Sequence, residues 1–268
     1  MSLCRMLSLH HGDCLEVMKE IPDKSVDLIV CDLPYGCLTN KPHANGTSGK
    51  SKGGLMYSAD TGCSWDIPID LAAFWEQVRR IRRDDHTPTL HFCTTKFGYD
   101  LIRSNEKEFR YDLVWDKQRG VSFLHANKMP MRSHEMIYVF SKAGVKYYRK
   151  DIVGDFKPYF ATNKNISSKS RQYSGRKRIA SNGGDGKRCA LSVIQNPKSA
   201  TRDGHPTEKP MELYRWLIER YSKEGDTILD PTFGSGNSVF TAVEFGRNAI
   251  GIEKDKEFFD KANAAILE

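Results

Sequence analysis

The sequence predicts an α/β protein: a mainly parallel sheet with helices on both faces. Three observations predict it. Short β-rich apolar runs alternate with segments of helical period through residues 6–141. A strand, glycine turn, helix, strand, helix series closes the chain after residue 205. The 268 residues, 39% of them hydrophobic, suffice to bury a core of that kind and argue against wholesale disorder.

In chain order, Val26-Asp27-Leu28-Ile29-Val30 is an apolar β-rich run that ends at Cys31-Asp32. Residues 69–82 read as a helix, because Leu71, Phe74, Trp75, Val78 and Ile81 recur at helical spacing while Arg79, Arg80, Arg82 and Arg83 fall mostly on the other face or at its end. Residues 89–94, 112–115 and 136–140 read as strands. Pro210 marks a helix start, with Met211, Tyr214, Leu217, Ile218 and Tyr221 on one face. Residues 227–230 form a strand, Pro231 to Ser238 a glycine turn, and 239–245 a helix with Gly246 just past its end. A strand over 248–253 and a helix over 256–267 complete the series.

Charge sets a middle segment apart. Net charge is +7, yet residues 142–205 hold fifteen Lys/Arg against four Asp/Glu, so the remainder carries a small negative charge. A basic segment on a near-neutral body suggests a polyanionic partner, most often nucleic acid, and a solvated linker is the competing reading. Tyr147, Tyr148, Phe156, Tyr159, Phe160 and Tyr173 interleave with the cations, which suits phosphate and base contacts or a small local core. The organisation expected is therefore residues 1–141, a basic insertion over 142–204, and residues 205–268. Residues 37–62 are glycine-rich and too long for a tight connection, so they form a lid or a slack insertion; their place after Tyr35 favours the lid.

Several classes are excluded. No run of 18 apolar residues is present, so a membrane span is not expected. The opening MSLCRMLSLHHGD lacks a long apolar core and a small-residue cleavage site, so it does not read as a secretory signal. Seven scattered cysteines without a Cys-x-x-Cys pair fit reduced thiols in the cytoplasm, and no metal site is expected.

Two places could carry chemistry. Gly234-Ser235-Gly236 follows a strand and opens a helix, where free N–H groups and a close backbone approach suit a ligand. A dinucleotide fingerprint would need a third glycine where Val239 stands, so a pyrophosphate is disfavoured. Glu253 ends the next strand, where a carboxylate can accept ribose hydroxyls. The second place is Asp32-Leu33-Pro34-Tyr35, at the carboxyl end of a hydrophobic strand. A carboxylate and a backbone carbonyl can accept the two hydrogens of an exocyclic amine and localise its lone pair; an aromatic face can hold a base flat. On their own these residues read more readily as a β–α connection, a turn aspartate and a rim aromatic; Asp230 before the glycine turn and Glu253 after it favour a site there.

Taken together the motifs resemble the β-class of S-adenosylmethionine-dependent DNA amino-methyltransferases. That family places an Asp-Pro-Pro-Tyr-type motif first, a target-recognition region in the middle and a Phe-x-Gly-x-Gly motif last, an order met here by Asp32 to Tyr35, the basic zone and Phe233 to Gly236. His11-Gly12-Asp13-Cys14, Arg132-Ser133-His134-Glu135 (ahead of a strand), His205-Pro206-Thr207-Glu208-Lys209-Pro210 and Gly251-Ile252-Glu253 match further family segments in order. The resemblance covers nearly the whole chain apart from residues 37–62 and the basic zone. Leu33 departs from the family's first proline.

The resemblance implies a Rossmann-like class I methyltransferase fold with circularly permuted motif order and an inserted basic target-recognition region. It implies S-adenosylmethionine as cofactor, held by Asp13, Asp32, Thr207, Lys209, Asp230, Phe233, Gly234, Gly236 and Glu253, with Asp32, Pro34 and Tyr35 as the catalytic group. Double-stranded DNA is the expected partner, with Lys50, Lys52, Arg171, Arg176, Lys177 and Arg178 as candidate phosphate contacts. Family members often dimerise, so a homodimer is an expectation too. A leading Asp is associated with adenine N6 and a leading Ser with cytosine N4, so adenine N6 is favoured and cytosine N4 stands second. None of the eleven prolines precedes a cysteine, which excludes cytosine C5 chemistry. RNA or protein methylation, a nucleotide-binding oxidoreductase and an inactive DNA-binding module are the rivals.

Overall fold

The computed structural model describes residues 6–35, 67–121, 123, 126–154, 187–196 and 208–266. The chain divides into two compact units, one spanning 1–148 and 192–268, the other 149–191. Lys50, Lys52, Arg171, Arg176, Lys177, Arg178 and Thr207 lie outside the described residues, as does the 37–62 loop.

The elements of the large unit run β1 (Leu7–His11), α1 (Cys14–Val17), β2 (Leu28–Cys31), α2 (Leu71–Ile81), β3 (Thr89–Cys93), α3 (Thr95–Ser104), β4 (Phe109–Val121) and β5 (Arg132–Phe140). The small unit contributes β6 (Ile152–Val153) and β7 (Lys187–Arg188), an antiparallel pair. The large unit resumes with β8 (Val193–Gln195), α4 (Met211–Tyr221), β9 (Thr227–Asp230), α5 (Asn237–Glu244), β10 (Asn248–Glu253) and α6 (Lys256–Ala264).

Eight strands form one sheet in the order β1-β10-β9-β2-β3-β5-β4-β8. Every neighbouring pair is parallel except those that β5 makes with β3 and β4. Both faces are covered, which is why the central strands are apolar without alternation. Leu28 and Val30 of β2 face a cluster built with α4 and α5, while Ile29 and Cys31 face one built with α2 and α3. Phe74 and Trp75 are fully buried in the second cluster, each contributing about 2 kcal/mol of apolar burial. Asp70 caps α2 by accepting from the Ala72 and Ala73 amides at 2.8 and 3.2 Å.

The chain leaves β2 through α2 toward β3 on one side, and leaves β9 through α5 toward β10 on the other. Because β2 and β9 are paired neighbours, Ile29 beside Leu229, the two departures open a crevice at the carboxyl ends of these strands. This brings residue 32 and the bend after residue 230 together.

The structure adds β1 and α1, which the sequence reading lacks, and differs from it in several further places. β4 extends over Phe109–Val121, well beyond 112–115. Arg132 to Glu135 belong to β5 and do not merely precede it, because they pair with the far end of β4. α3, which the sequence reading lacks, carries Gly98, where an added Cβ would stand 2.6 Å from the Tyr138 ring; helix and sheet approach too closely there for a side chain. β8 adds to the edge of the sheet from within the basic stretch, held by buried Ile194.

Candidate active site

The tip that follows β2 is fixed from below. Leu33 is buried in the cluster with α1 and α2, so this residue anchors the tip by packing where the family carries proline. Asp32 and Tyr35 stay half-buried and turn toward each other: the Tyr35 hydroxyl donates to Asp32 Oδ1 at 2.6 Å. The Tyr35 ring stacks on Phe97 of α3, with centroids 4.9 Å apart and planes 29° from parallel. Burial, with the Asp32 charge behind it, pushes the Tyr35 phenol well above its ordinary pKa, so it remains a donor. The second carboxylate oxygen, Asp32 Oδ2, is ion-paired with Lys209 Nζ.

Lys209 sits one residue ahead of Pro210, which caps α4, and is buried. Its ammonium lies 5.1 Å from the centroid of the Phe92 ring and 3.5 Å from Glu135 Oε2. Burial opposes its charge, but Asp32 and Glu135 outweigh burial and raise its pKa.

The glycine bend is fixed by a different carboxylate. Asp230 ends β9, accepts from the Thr232 amide at 3.0 Å and also from the Ser238 hydroxyl. Burial pushes the Asp230 pKa up to about 7, with the two hydrogen bonds opposing and Asp32 and Glu253 adding to the rise. Gly236 caps α5 at φ +88°, a left-handed conformation that disfavours any other residue. Val239 is fully buried, so the position where a dinucleotide fingerprint needs glycine is here part of the core.

Glu253 joins the bend to the next connection. Its Oε2 accepts from the Gly234 amide at 2.9 Å and its Oε1 from the Asp255 amide at 2.8 Å. Burial raises its pKa, and these amides oppose the rise. Beside Glu253, at the end of the neighbouring β1, Asp13 caps α1 through the Leu15 amide and pairs with Lys254 at 3.0 Å. Burial would raise the Asp13 pKa; Lys254 and the amide bring it below its ordinary value.

These parts enclose a cavity of about 410 Å³ lined by Asp13, Asp32, Pro34, Tyr35, Lys209, Phe233, Gly234 and Glu253 among others. Asp230 and Gly236 are not among the lining residues; they shape the bend from behind. Glu135 and Asp255 line the cavity, and sequence reasoning did not place them in the site. Glu135 was visible within the Arg132 to Glu135 motif; its orientation depends on pairing with β4. Six carboxylates (Asp13, Asp32, Glu135, Glu208, Glu253 and Asp255) and two lysines (Lys209 and Lys254) face the cavity. Such a wall repels a pyrophosphate and suits a ligand carrying positive charge and hydroxyl groups.

The comparisons agree with this architecture. The DNA methylase family model matches residues 26–264. Type II methyltransferase M.HinfI of Haemophilus influenzae is 25% identical over 277 residues, covering 96% of this chain and 67% of that protein. Among solved structures, PvuII DNA methyltransferase (cytosine-N4-specific) superposes with a TM-score of 0.64 at 15% identity, over 98% of this chain and 87% of that one. The M1.HpyAVI–SAM complex superposes with a TM-score of 0.59 at 18% identity, over 97% and 99%. TTHA0409 of Thermus thermophilus, complexed with S-adenosyl-L-methionine, does so with a TM-score of 0.54 at 19% identity, over 97% and 94%. The fold is that of class I methyltransferases. With a family model running through both strand ends that build the cavity, this chain belongs to the N6/N4 DNA methylase family.

Proposed function

We propose that the chain transfers a methyl group from S-adenosylmethionine to the N6 amine of adenine in duplex DNA. The observation that carries this reading is the single acidic cavity onto which the Asp32 to Tyr35 tip and the bend at Gly234 both open. The cavity fits the cofactor by its donor set: Glu253 can accept ribose hydroxyls, and the surrounding carboxylates suit a sulfonium and an ammonium group. S-adenosylmethionine, when bound, supplies the electrophilic methyl carbon.

The rest is work for this chain's own residues. A base inside a duplex is out of reach, so it is flipped out at a cost of a few kcal/mol. The Tyr35 ring, backed by Phe97, offers a flat apolar face to the extruded base. Asp32 and the Pro34 carbonyl accept the two amine hydrogens and direct the nitrogen lone pair toward the methyl carbon. The cofactor would supply the methyl group and keep the electron pair of the cleaved C–S bond on sulfur, and the amine would release one proton to solvent. Positioning and exclusion of water supply most of the acceleration. Basic residues of the 142–204 stretch and of the 37–62 loop would meet DNA phosphates.

Asp32→Ala is expected to keep binding S-adenosylmethionine while methyl transfer to duplex DNA is lost. Near wild-type methylation by that variant would overturn the mechanism. The leading Asp favours adenine, while the fold likeness to a cytosine-N4 enzyme supports a second reading. Mass spectrometry of nucleosides from treated DNA decides between N6-methyladenine and N4-methylcytosine.

A further inference from the structure

Behind the cavity wall lies a buried ion-pair chain whose far end the reading above does not use. Lys117 is 6% exposed and is not among the cavity-lining residues. It reaches the protein interior because strand alternation on β4 puts Leu113, Trp115 and Lys117 on one buried face. Its Nζ is ion-paired with Glu135 Oε1 and lies 5.2 Å from the Trp115 ring centroid. Glu135 does line the cavity, and its buried Oε2 forms an ion pair with Lys209 at 3.5 Å. Lys209 in turn pairs with Asp32. The series Lys117, Glu135, Lys209, Asp32 therefore holds two cations and two anions in balance.

Such a chain is costly. A buried ion pair is commonly no more stable than apolar residues of the same volume. Lys117 touches no ligand space, so apolar packing could replace it if the core were its sole purpose. What the chain provides is a defined charge at the end of the cavity next to Asp32. Lys209 by itself would oppose a cationic ligand there, and Glu135 offsets it through their 3.5 Å ion pair.

We infer that Glu135, tuned by Lys117 behind it, is a positioning residue that sets the electrostatic preference of the cavity for a sulfonium over the neutral thioether left after methyl transfer. The inference rests on the cofactor reading above and is independent of which base is methylated. It predicts opposite signs for two substitutions: Glu135→Gln leaves the chain of four with a net charge of +1, and Lys117→Met leaves it with −1.

The test is equilibrium binding of S-adenosylmethionine and S-adenosylhomocysteine to the full chain, by calorimetry and without DNA. The ratio of the two dissociation constants removes losses common to both ligands. Glu135→Gln should shift that ratio about tenfold against the sulfonium, the size expected of one partly screened charge on the cavity wall. Lys117→Met should shift it the other way, and the charge-balanced double variant should return close to the parent ratio. If Glu135→Gln fails to fold, Lys117→Met and the double variant carry the same test. Variants that weaken both ligands equally, with the ratio unmoved, would show a packing role and overturn the inference. An unmodified chain that binds neither ligand would overturn the cofactor reading and this inference with it; binding of both with an unmoved ratio overturns the inference alone.

Discussion

The hydroxyl of Tyr35 donates to Asp32 Oδ1 at 2.6 Å, so the residue that would carry the base also occupies the oxygen that would receive its amine. An incoming amine competes with this hydroxyl for Asp32 Oδ1. Tyr35→Phe removes the competitor and keeps the ring on Phe97. It should retain turnover within about tenfold of the parent, since one hydrogen bond to a charged group is worth about 1.5–3 kcal/mol and here it works against capture. Tyr35→Ala, which removes the platform, should lose about a hundredfold or more. Steady-state methylation of a duplex oligonucleotide measures both; equal losses would show that the hydroxyl, not the ring, is needed.

Asp230 makes the stability of the fold depend on pH. Its pKa in the folded protein, about 7, lies above the ordinary 3.8 because the group is buried. The folded state therefore holds its proton more tightly than the unfolded chain. The resulting stabilisation is fully present below pH 3.8 and is lost as pH rises through about 7. Asp230→Asn keeps an acceptor for the Thr232 amide and removes this titration. Relative to the variant, the parent should lose up to about 1.4 kcal/mol per pH unit between those limits. Urea unfolding of both proteins from pH 5 to 8 checks it, and parallel stability curves would refute it.

Gly236→Ala combines two penalties. The residue would be held at φ +88°, and its Cβ would clash with the Phe240 ring, which would have to turn aside. A loss of about 1–2 kcal/mol in unfolding free energy is expected, together with weaker cofactor binding, because the amides of the bend would shift. Thermal unfolding and calorimetry report the two effects, and an unchanged melting temperature would contradict the first.

Much of this architecture is legible in the sequence, for reasons that also explain what is not. β9 and β10 coincide with the expected ranges because they are apolar runs bounded by a charged turn and glycines, signals that lie within a few residues. The glycine bend and the Asp32 tip are local in the same sense. β1 carries Ser8, His10 and His11 on a sheet edge, where polarity is tolerated and the strand signal is weak. Lys117 and Glu135 escape a reading by residue type because lysine and glutamate ordinarily mark a solvated face. Their burial depends on two lysines and two carboxylates that meet only once β2, β4, β5 and the start of α4 are assembled. The likeness of a segment to a family motif could flag Glu135, but no signal in the sequence points to Lys117.

The placing of β2 beside β9 also governs the birth of the molecule. A ribosome releases Leu28–Cys31 about two hundred residues before Thr227–Asp230, the strand that closes that side of it. At about 5–20 residues per second the wait is on the order of ten to forty seconds. During that time an apolar strand edge stands open to pairing with other nascent chains. Translation halted short of residue 227 would leave a sticky fragment without a catalytic crevice, so synthesis of this protein should lean on chaperones in proportion to how slowly the residues between β2 and β9 are made.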